Sequence, residues 1–84
     1  MKNKKLNMDN LIGMISKSLG LKKDQINEKS SANNIEKWDS LGQLNILSSL
    51  DEFYDGKIAD LPDIAKAISV ELIYSELKKN SLIA

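Results

Sequence analysis

The stretch Trp38-Asp39-Ser40-Leu41-Gly42-Gln43-Leu44 decides the fold, because a polar connection turns into an amphipathic helix there. From this point to Tyr54, apolar residues recur with the spacing of one helix face and without the alternation of a strand. They are Leu41, Leu44, Ile46, Leu47, Leu50, Phe53 and Tyr54. Asp39 or Ser40 can be the N-cap, and Ser40 with Gln43 also fits a Ser-x-x-Gln capping box. The stretch therefore predicts a helix from Ser40 to about Tyr54.

Three more segments carry helical patterns of apolar residues with start and stop signals. We expect the first to end at Gly20, because glycine takes left-handed backbone geometry at little cost. The short one contains Pro62, which is tolerated in a first helical turn. The expected bounds are Met8 to about Leu19, Leu61 to about Ala67, and Val70 to about Lys79.

Residues 20–38 form a long polar connection with a few isolated apolar residues, which we expect to hold the loop against the helices. These are Leu21, Ile26, Ile35 and Trp38. The sequence thus predicts an all-α fold, a small four-helix bundle of three longer helices and a short third helix, with a long loop between helices 1 and 2. We expect a flexible basic N-terminus at residues 1–7, one folded domain at 8–79 and a C-terminal tail at 80–84.

Composition excludes several classes of function. The chain of 84 residues has neither cysteine nor histidine, so disulfides, thiol chemistry and the commonest general base are absent. We therefore expect a non-catalytic protein. Its net charge is zero and it has no arginine, which argues against nucleic-acid binding. No apolar run is long enough to span a membrane. We expect a soluble, cytoplasmic monomer.

Four carboxylates follow the central helix and its end, and they raise the question of a metal site. They are Asp51, Glu52, Asp55 and Asp60. Carboxylate oxygens can bind a divalent cation, but this spacing does not fit an EF-hand loop. We interpret the group as a solvated acidic rim and predict no metal site.

Asp39-Ser40-Leu41 at the start of the second of four helices resembles the attachment motif of acyl carrier proteins. Two flanking elements extend the resemblance to residues 8–79. Ser18-Leu19-Gly20-Leu21 is similar to the end of that family's first helix, and Ser69-Val70 to the start of its last. The resemblance implies that Ser40 is esterified by 4′-phosphopantetheine from coenzyme A. The terminal thiol of that arm holds acyl groups as thioesters.

The resemblance also implies partners. These are a phosphopantetheinyl transferase, an acyl-loading ligase or transferase, and downstream synthase enzymes, in fatty-acid-like or specialised lipid metabolism. Asp39 and Leu41 would contribute to their recognition, although Leu41 also fits an ordinary residue at the margin of the apolar face. The outer face of the helix would contribute Asn45, Ser49 and Glu52.

The chain departs from the family in charge. Carriers of fatty-acid synthesis are usually strongly acidic, whereas this chain is neutral and has Gly42 where an acid often follows the motif. Weak electrostatic steering favours recognition by shape and hydrogen bonds. The Trp-Asp-Ser-Leu-Gly form is closer to stand-alone carriers of aminoacyl, hydroxyacyl or short acyl groups. The alternative is an unmodified four-helix interaction module in which Ser40 is only a helix cap.

Overall fold

Local capping signals set the start of each helix. The computed structural model describes residues 5–84 and contains three α-helices in that range, which we label α1 (Met8–Ser18), α2 (Ser40–Phe53) and α3 (Val70–Lys79). Asn7 Oδ1 accepts a hydrogen bond from the N–H of Asn10, and Ser69 Oγ accepts one from Leu72. These bonds pair N–H groups that a first helical turn leaves free. The three longer helices begin at the predicted residues and end within one residue of the predicted bounds.

The predicted short third helix, Leu61–Ala67, is wrong. Two 3-10 turns, Lys57–Asp60 and Ile64–Lys66, cross from α2 to α3 instead. Pro62 holds the preceding residue, Leu61, in an extended conformation, which prevents the two turns from merging into one helix. The separate pieces are too short to sustain α-helical hydrogen bonding. The domain is therefore a three-helix fold with no strands among residues 5–84, and the four-helix bundle is not confirmed.

The inward faces of the three helices form one apolar core. α1 packs against both α2 and α3. Fully buried side chains come from every helix: Leu11, Ile15, Ile46, Leu50, Val70, Ile73 and Leu77. Within residues 5–84, none of the helices is both long enough and apolar enough to cross a membrane.

The long loop from Leu19 to Asp39 is held by its apolar residues, as the sequence predicts. Ile26 and Trp38 are buried, and Leu21 and Ile35 are half-buried against the core. Its middle also pairs with the start of α3. Ala32 donates its N–H to the carbonyl of Ile68, and Ser30 accepts from Val70. The loop therefore carries Trp38 to a fixed place beside the start of α2.

The packed structure extends past both ends of the expected domain at 8–79. Leu6 is buried, and its carbonyl accepts a hydrogen bond from the N–H of Ala84. The Tyr54 hydroxyl donates to the carbonyl of Leu82 at 2.6 Å and accepts from the N–H of Leu6 at 3.3 Å. Of the expected flexible N-terminus, residues 1–4 lie outside the described residues. One tyrosine directly after α2 thus joins Leu6 to the C-terminal segment at Leu82.

We expect Tyr54→Phe to destabilise the domain by about 1–3 kcal/mol, because it leaves a partly buried carbonyl and a buried N–H without partners. Burial raises the pKa of the Tyr54 hydroxyl, and the hydrogen bond from Leu6 lowers it by less. Since the raised pKa belongs to the folded state, this tyrosine's contribution to stability is complete below about pH 10 and is lost as pH rises further. Urea unfolding between pH 7 and pH 11 tests both points. A wild type and variant with equal stability at pH 7 would contradict the hydrogen-bond role.

Candidate functional site

Asp39, and not Ser40, caps α2. Asp39 has extended backbone geometry, and its Oδ1 accepts the N–H of Gly42 at 2.9 Å. Ser40 is the first helical residue. The Ser40–Gln43 capping box is therefore wrong, because the cap lies one residue earlier and the Gln43 side chain is used elsewhere. Because Asp39 is the N-cap, Ser40 does not have the capping role that its position in the sequence suggested.

The Ser40 side chain is exposed at the N-terminus of α2. Within residues 5–84, its hydroxyl has no hydrogen-bond partner. The first N–H groups of a helix have no intrahelical acceptors, and together with the helix dipole they favour an anion nearby. The Asp39 carboxylate stands beside them and uses one oxygen as the cap. Ser40 is thus a free hydroxyl at a helix end where a phosphate group can be accommodated.

Gly42 lies in the tightest contact at this end of α2. It is buried, and a Cβ added to it would lie 2.5 Å from the carbonyl oxygen of Lys37 and 2.7 Å from a methyl carbon of Leu19. A side chain here therefore cannot fit without a backbone shift. Where the family resemblance suggested a missing acidic residue on the surface, the structure has a glycine facing inward.

Gln43 joins three parts of the chain next to Ser40. Its Oε1 accepts the indole N–H of Trp38 at 2.7 Å, and its Nε2 donates to the carbonyl of Ala67 at 3.1 Å and more weakly to Ala65 at 3.4 Å. The amide thereby ties the loop before α2 and the 3-10 turn after it to the helix. Sequence reasoning missed this role, because the two carbonyls lie 22 and 24 residues further along the chain.

A surface groove begins at Ser40 and runs between α2 and the 3-10 turn Ile64–Lys66. We call it the Ser40 groove. Its cavity volume is about 600 Å³. It continues along α2 towards Asp51 and Ile58, because Leu44, Leu47 and Ala65 line both this part and the next. The lining beside Ser40 is mostly apolar: Ala32, Trp38, Asp39, Ser40, Gln43, Leu44, Leu47, Ala65 and Ile68.

Two exposed leucines of α2, Leu41 and Leu44, follow Ser40; we call them the leucine ridge, and Leu44 also lines the Ser40 groove. Leu41 is 66% exposed and Leu44 is 62% exposed, three residues apart on one helix ridge. The expected place of Leu44 on the core-facing side is therefore wrong. Leu41 is a surface residue and not one half-covered by the core. Large exposed apolar side chains grouped in this way indicate a contact surface.

The other predicted recognition residues lie on the far side of the leucine ridge. Asn45 and Glu52 are exposed and Ser49 is half-buried, in a cleft between α2 and α1. The Ser49 hydroxyl is hydrogen-bonded to that of Ser18 at 2.9 Å, which joins the two helices. Asp39, Ser40 and Leu41 therefore lie at the helix start, whereas Asn45, Ser49 and Glu52 line the cleft on the α1 side of the same helix.

The predicted acidic rim does not come together as a ligand set. Asp51 borders the groove and one of its oxygens is buried without a hydrogen bond, and Asp60 lines the same part. Among residues 5–84, no three carboxylates approach one another closely enough to hold a metal ion.

Comparisons of the chain with protein-family models, curated proteins and solved structures found no match. What the site can do chemically is therefore inferred from its geometry. The site has the exposed hydroxyl of Ser40 at a helix N-terminus, without a hydrogen-bond partner among residues 5–84. An apolar groove and two exposed leucines lie next to this hydroxyl. Such a hydroxyl can accept a covalent group, and the groove can cover an apolar part of that group.

Proposed function

We propose that the chain is a stand-alone acyl carrier protein whose Ser40 bears 4′-phosphopantetheine. The observation that carries this proposal is the free hydroxyl of Ser40, exposed in the first turn of α2 while Asp39 caps the helix. In the alternative interaction module, Ser40 was expected to be the cap, and that explanation for the serine no longer applies.

The modification has a simple chemical balance. A bond forms between Ser40 Oγ and the phosphorus that carries the pantetheine arm of coenzyme A. The bond from that phosphorus to the bridging oxygen of the pyrophosphate breaks, and adenosine 3′,5′-bisphosphate leaves. The hydroxyl proton passes to a base of the transferase, so the absence of histidine from this chain is no obstacle.

The residues around Ser40 fit the resulting phosphodiester. Its negative charge would lie at the positive end of the α2 dipole, where the N–H groups of the first turn are directed. The Asp39 carboxylate opposes it, but one oxygen is already paired with the N–H of Gly42. When bound, the group supplies a terminal thiol that holds an acyl group as a thioester. The chain itself holds and presents it.

Recognition by partner enzymes is proposed to centre on the leucine ridge. Leu41 and Leu44 are the most exposed large apolar side chains of α2 and flank Ser40. A transferase, a loading enzyme or a synthase could cover them while it reaches the serine. Asn45 and Glu52 would form a polar margin of the same contact. The zero net charge supports partners that recognise shape over charge, in a specialised pathway and not in general fatty-acid synthesis.

The exposed leucine ridge also supports a second candidate function. An unmodified interaction module would use Leu41 and Leu44 to bind a protein partner without any covalent group on Ser40. In that case the groove and the free hydroxyl would have no chemical use.

Incubation with coenzyme A and a broad-specificity phosphopantetheinyl transferase separates the two functions. We expect the intact mass of the wild-type chain to rise by one phosphopantetheine unit. A mass that stays unchanged, while a known carrier in the same reaction is modified, would leave the interaction module as the better account. Charging of the modified chain with short and long acyl groups then tests the specialised against the general pathway.

A further inference from the structure

Gln43 lies between Ser40 and the core on the surface of α2. Residues three apart on a helix differ by about 60° in direction, so Ser40, Gln43 and Ile46 follow one row from the exposed side to the buried side. Ser40 is exposed, Gln43 is half-buried and Ile46 is completely buried. The direct route from Ser40 to the interior therefore passes Gln43.

Hydrogen bonds hold Gln43 across this route. Its amide donates to the carbonyls of Ala67 and Ala65 and accepts from Trp38. The amide thus spans the space between α2 and the 3-10 turn Ile64–Lys66. Moving it aside would break the bond to Trp38, a buried residue, and would leave the carbonyl of Ala67 unpaired.

The interior behind Gln43 is filled. Ile46 and Val70 are 0% exposed, and Ala67 is only 4% exposed. With Gln43 in place, a long chain could enter only by displacing side chains that already pack together, whereas Gln43→Ala vacates the space between Trp38 and Ala67 that the amide now occupies. Outside Gln43, by contrast, the Ser40 groove is open and apolar, with Leu44 and Ile68 still largely exposed.

We propose that Gln43 closes the route from Ser40 into the core and thereby selects short groups as cargo. This inference rests on the proposed carrier function. A short acyl group is covered by the surface groove beside Ser40, whereas a long acyl chain must continue along the open groove and stays partly in water instead of entering the core. Gln43 is thus a specificity-determining residue that acts by hydrogen bonding and bulk, without touching the reacting atoms.

The test attaches chains chemically, so it does not depend on a transferase. The protein has no cysteine, and Ser40→Cys therefore gives a single thiol that forms a disulfide with ethyl or octyl methanethiosulfonate. A chain that packs only in the folded state raises the melting temperature. With Gln43 present, we expect octyl and ethyl to differ by less than about 2 °C. With Gln43→Ala added, we expect the octyl form to melt at least about 5 °C higher than the ethyl form.

Asn45→Ala is the matched control, since Asn45 lies on the same helix outside the Ser40 groove. It should leave the small octyl–ethyl difference unchanged. The inference is overturned if octyl raises the melting temperature equally with and without Gln43, or if Gln43→Ala produces no octyl–ethyl difference. If the wild-type protein gained no mass in the transferase reaction, the carrier function would be contradicted instead. Failure of the Gln43 inference and failure of the carrier function are therefore distinguishable.

A second measurement needs no substitution at Gln43. In the octyl form of the Ser40→Cys protein, nuclear Overhauser contacts report where the chain lies. We expect contacts to the methyl groups of Leu44 and Ile68 in the groove. Contacts to Ile46 and Val70 in the core, with Gln43 in place, would overturn the inference.

Discussion

Ser40→Ala will abolish modification by coenzyme A and a phosphopantetheinyl transferase and leave the stability of the domain nearly unchanged. The first effect is complete, because the hydroxyl is the atom to which the phosphorus binds. The second follows because the hydroxyl has no hydrogen-bond partner within residues 5–84 and Asp39 is the cap. We expect the free energy of unfolding to change by no more than about 0.5 kcal/mol. Intact mass and urea unfolding measure the two effects.

Asp39→Ala is the matched comparison for this variant, one residue earlier. It removes the hydrogen bond to Gly42, so we expect a loss of about 1 kcal/mol. Ser40 keeps its hydroxyl in this variant, so we expect it still to be modified, but more slowly because Asp39 is expected to contribute to recognition. If Ser40→Ala were the more destabilising of the two, the cap would be misassigned. Modification that persisted in Ser40→Ala would place the attachment site elsewhere.

Gly42→Ala will destabilise the domain, although alanine is the better helix former. The added Cβ would lie 2.5 Å from the backbone carbonyl of Lys37, which cannot move as a flexible side chain can. Overpacking of this kind usually costs 1–3 kcal/mol, and the gain in helix propensity offsets only part of it. We expect a loss of about 2 kcal/mol, or roughly 10 °C in the melting temperature.

Gly13→Ala provides the opposite case in α1. The nearest atoms to an added Cβ there belong to the Lys23 side chain, at 3.8 and 3.9 Å. Because there is space for the added Cβ, the gain in helix propensity should exceed any steric cost. We expect the free energy of unfolding to rise by about 0.5–1 kcal/mol. If both alanine variants were stabilised, the close contact between Gly42 and Lys37 would be refuted.

The helices could be predicted from sequence because their signals are local. Asn7, Ser69 and the acidic cap at Asp39 each lie within three residues of the N–H group they bind. Gly20 follows α1 with positive φ, as expected, and Gly56 has positive φ after α2. The spaced apolar residues of the long loop also packed as predicted, because an isolated apolar residue gains by leaving water wherever a core can cover it.

Prediction from local sequence failed where the same spacing of apolar residues fits more than one structure. Leu61–Ala67 has helical spacing, but Pro62 holds Leu61 extended, and only the 3-10 turn Ile64–Lys66 forms in this range. Leu44 shares the wide apolar arc of α2 with Leu47 but lies about 60° from it. It is 62% exposed because the crossing segment leaves that side uncovered. Which part of a wide apolar arc is buried depends on the neighbouring elements and not on the helix alone.

By itself, the sequence determined that Ser40 stands at the start of a helix in a chain without cysteine or histidine. Those facts depend on composition and on contacts only a few residues apart. Only the tertiary structure decided that a groove opens beside Ser40 and that Gln43 is hydrogen-bonded to Ala65 and Ala67. These features arise from contacts between α2 and a segment more than twenty residues away, and a local pattern carries no information about such contacts.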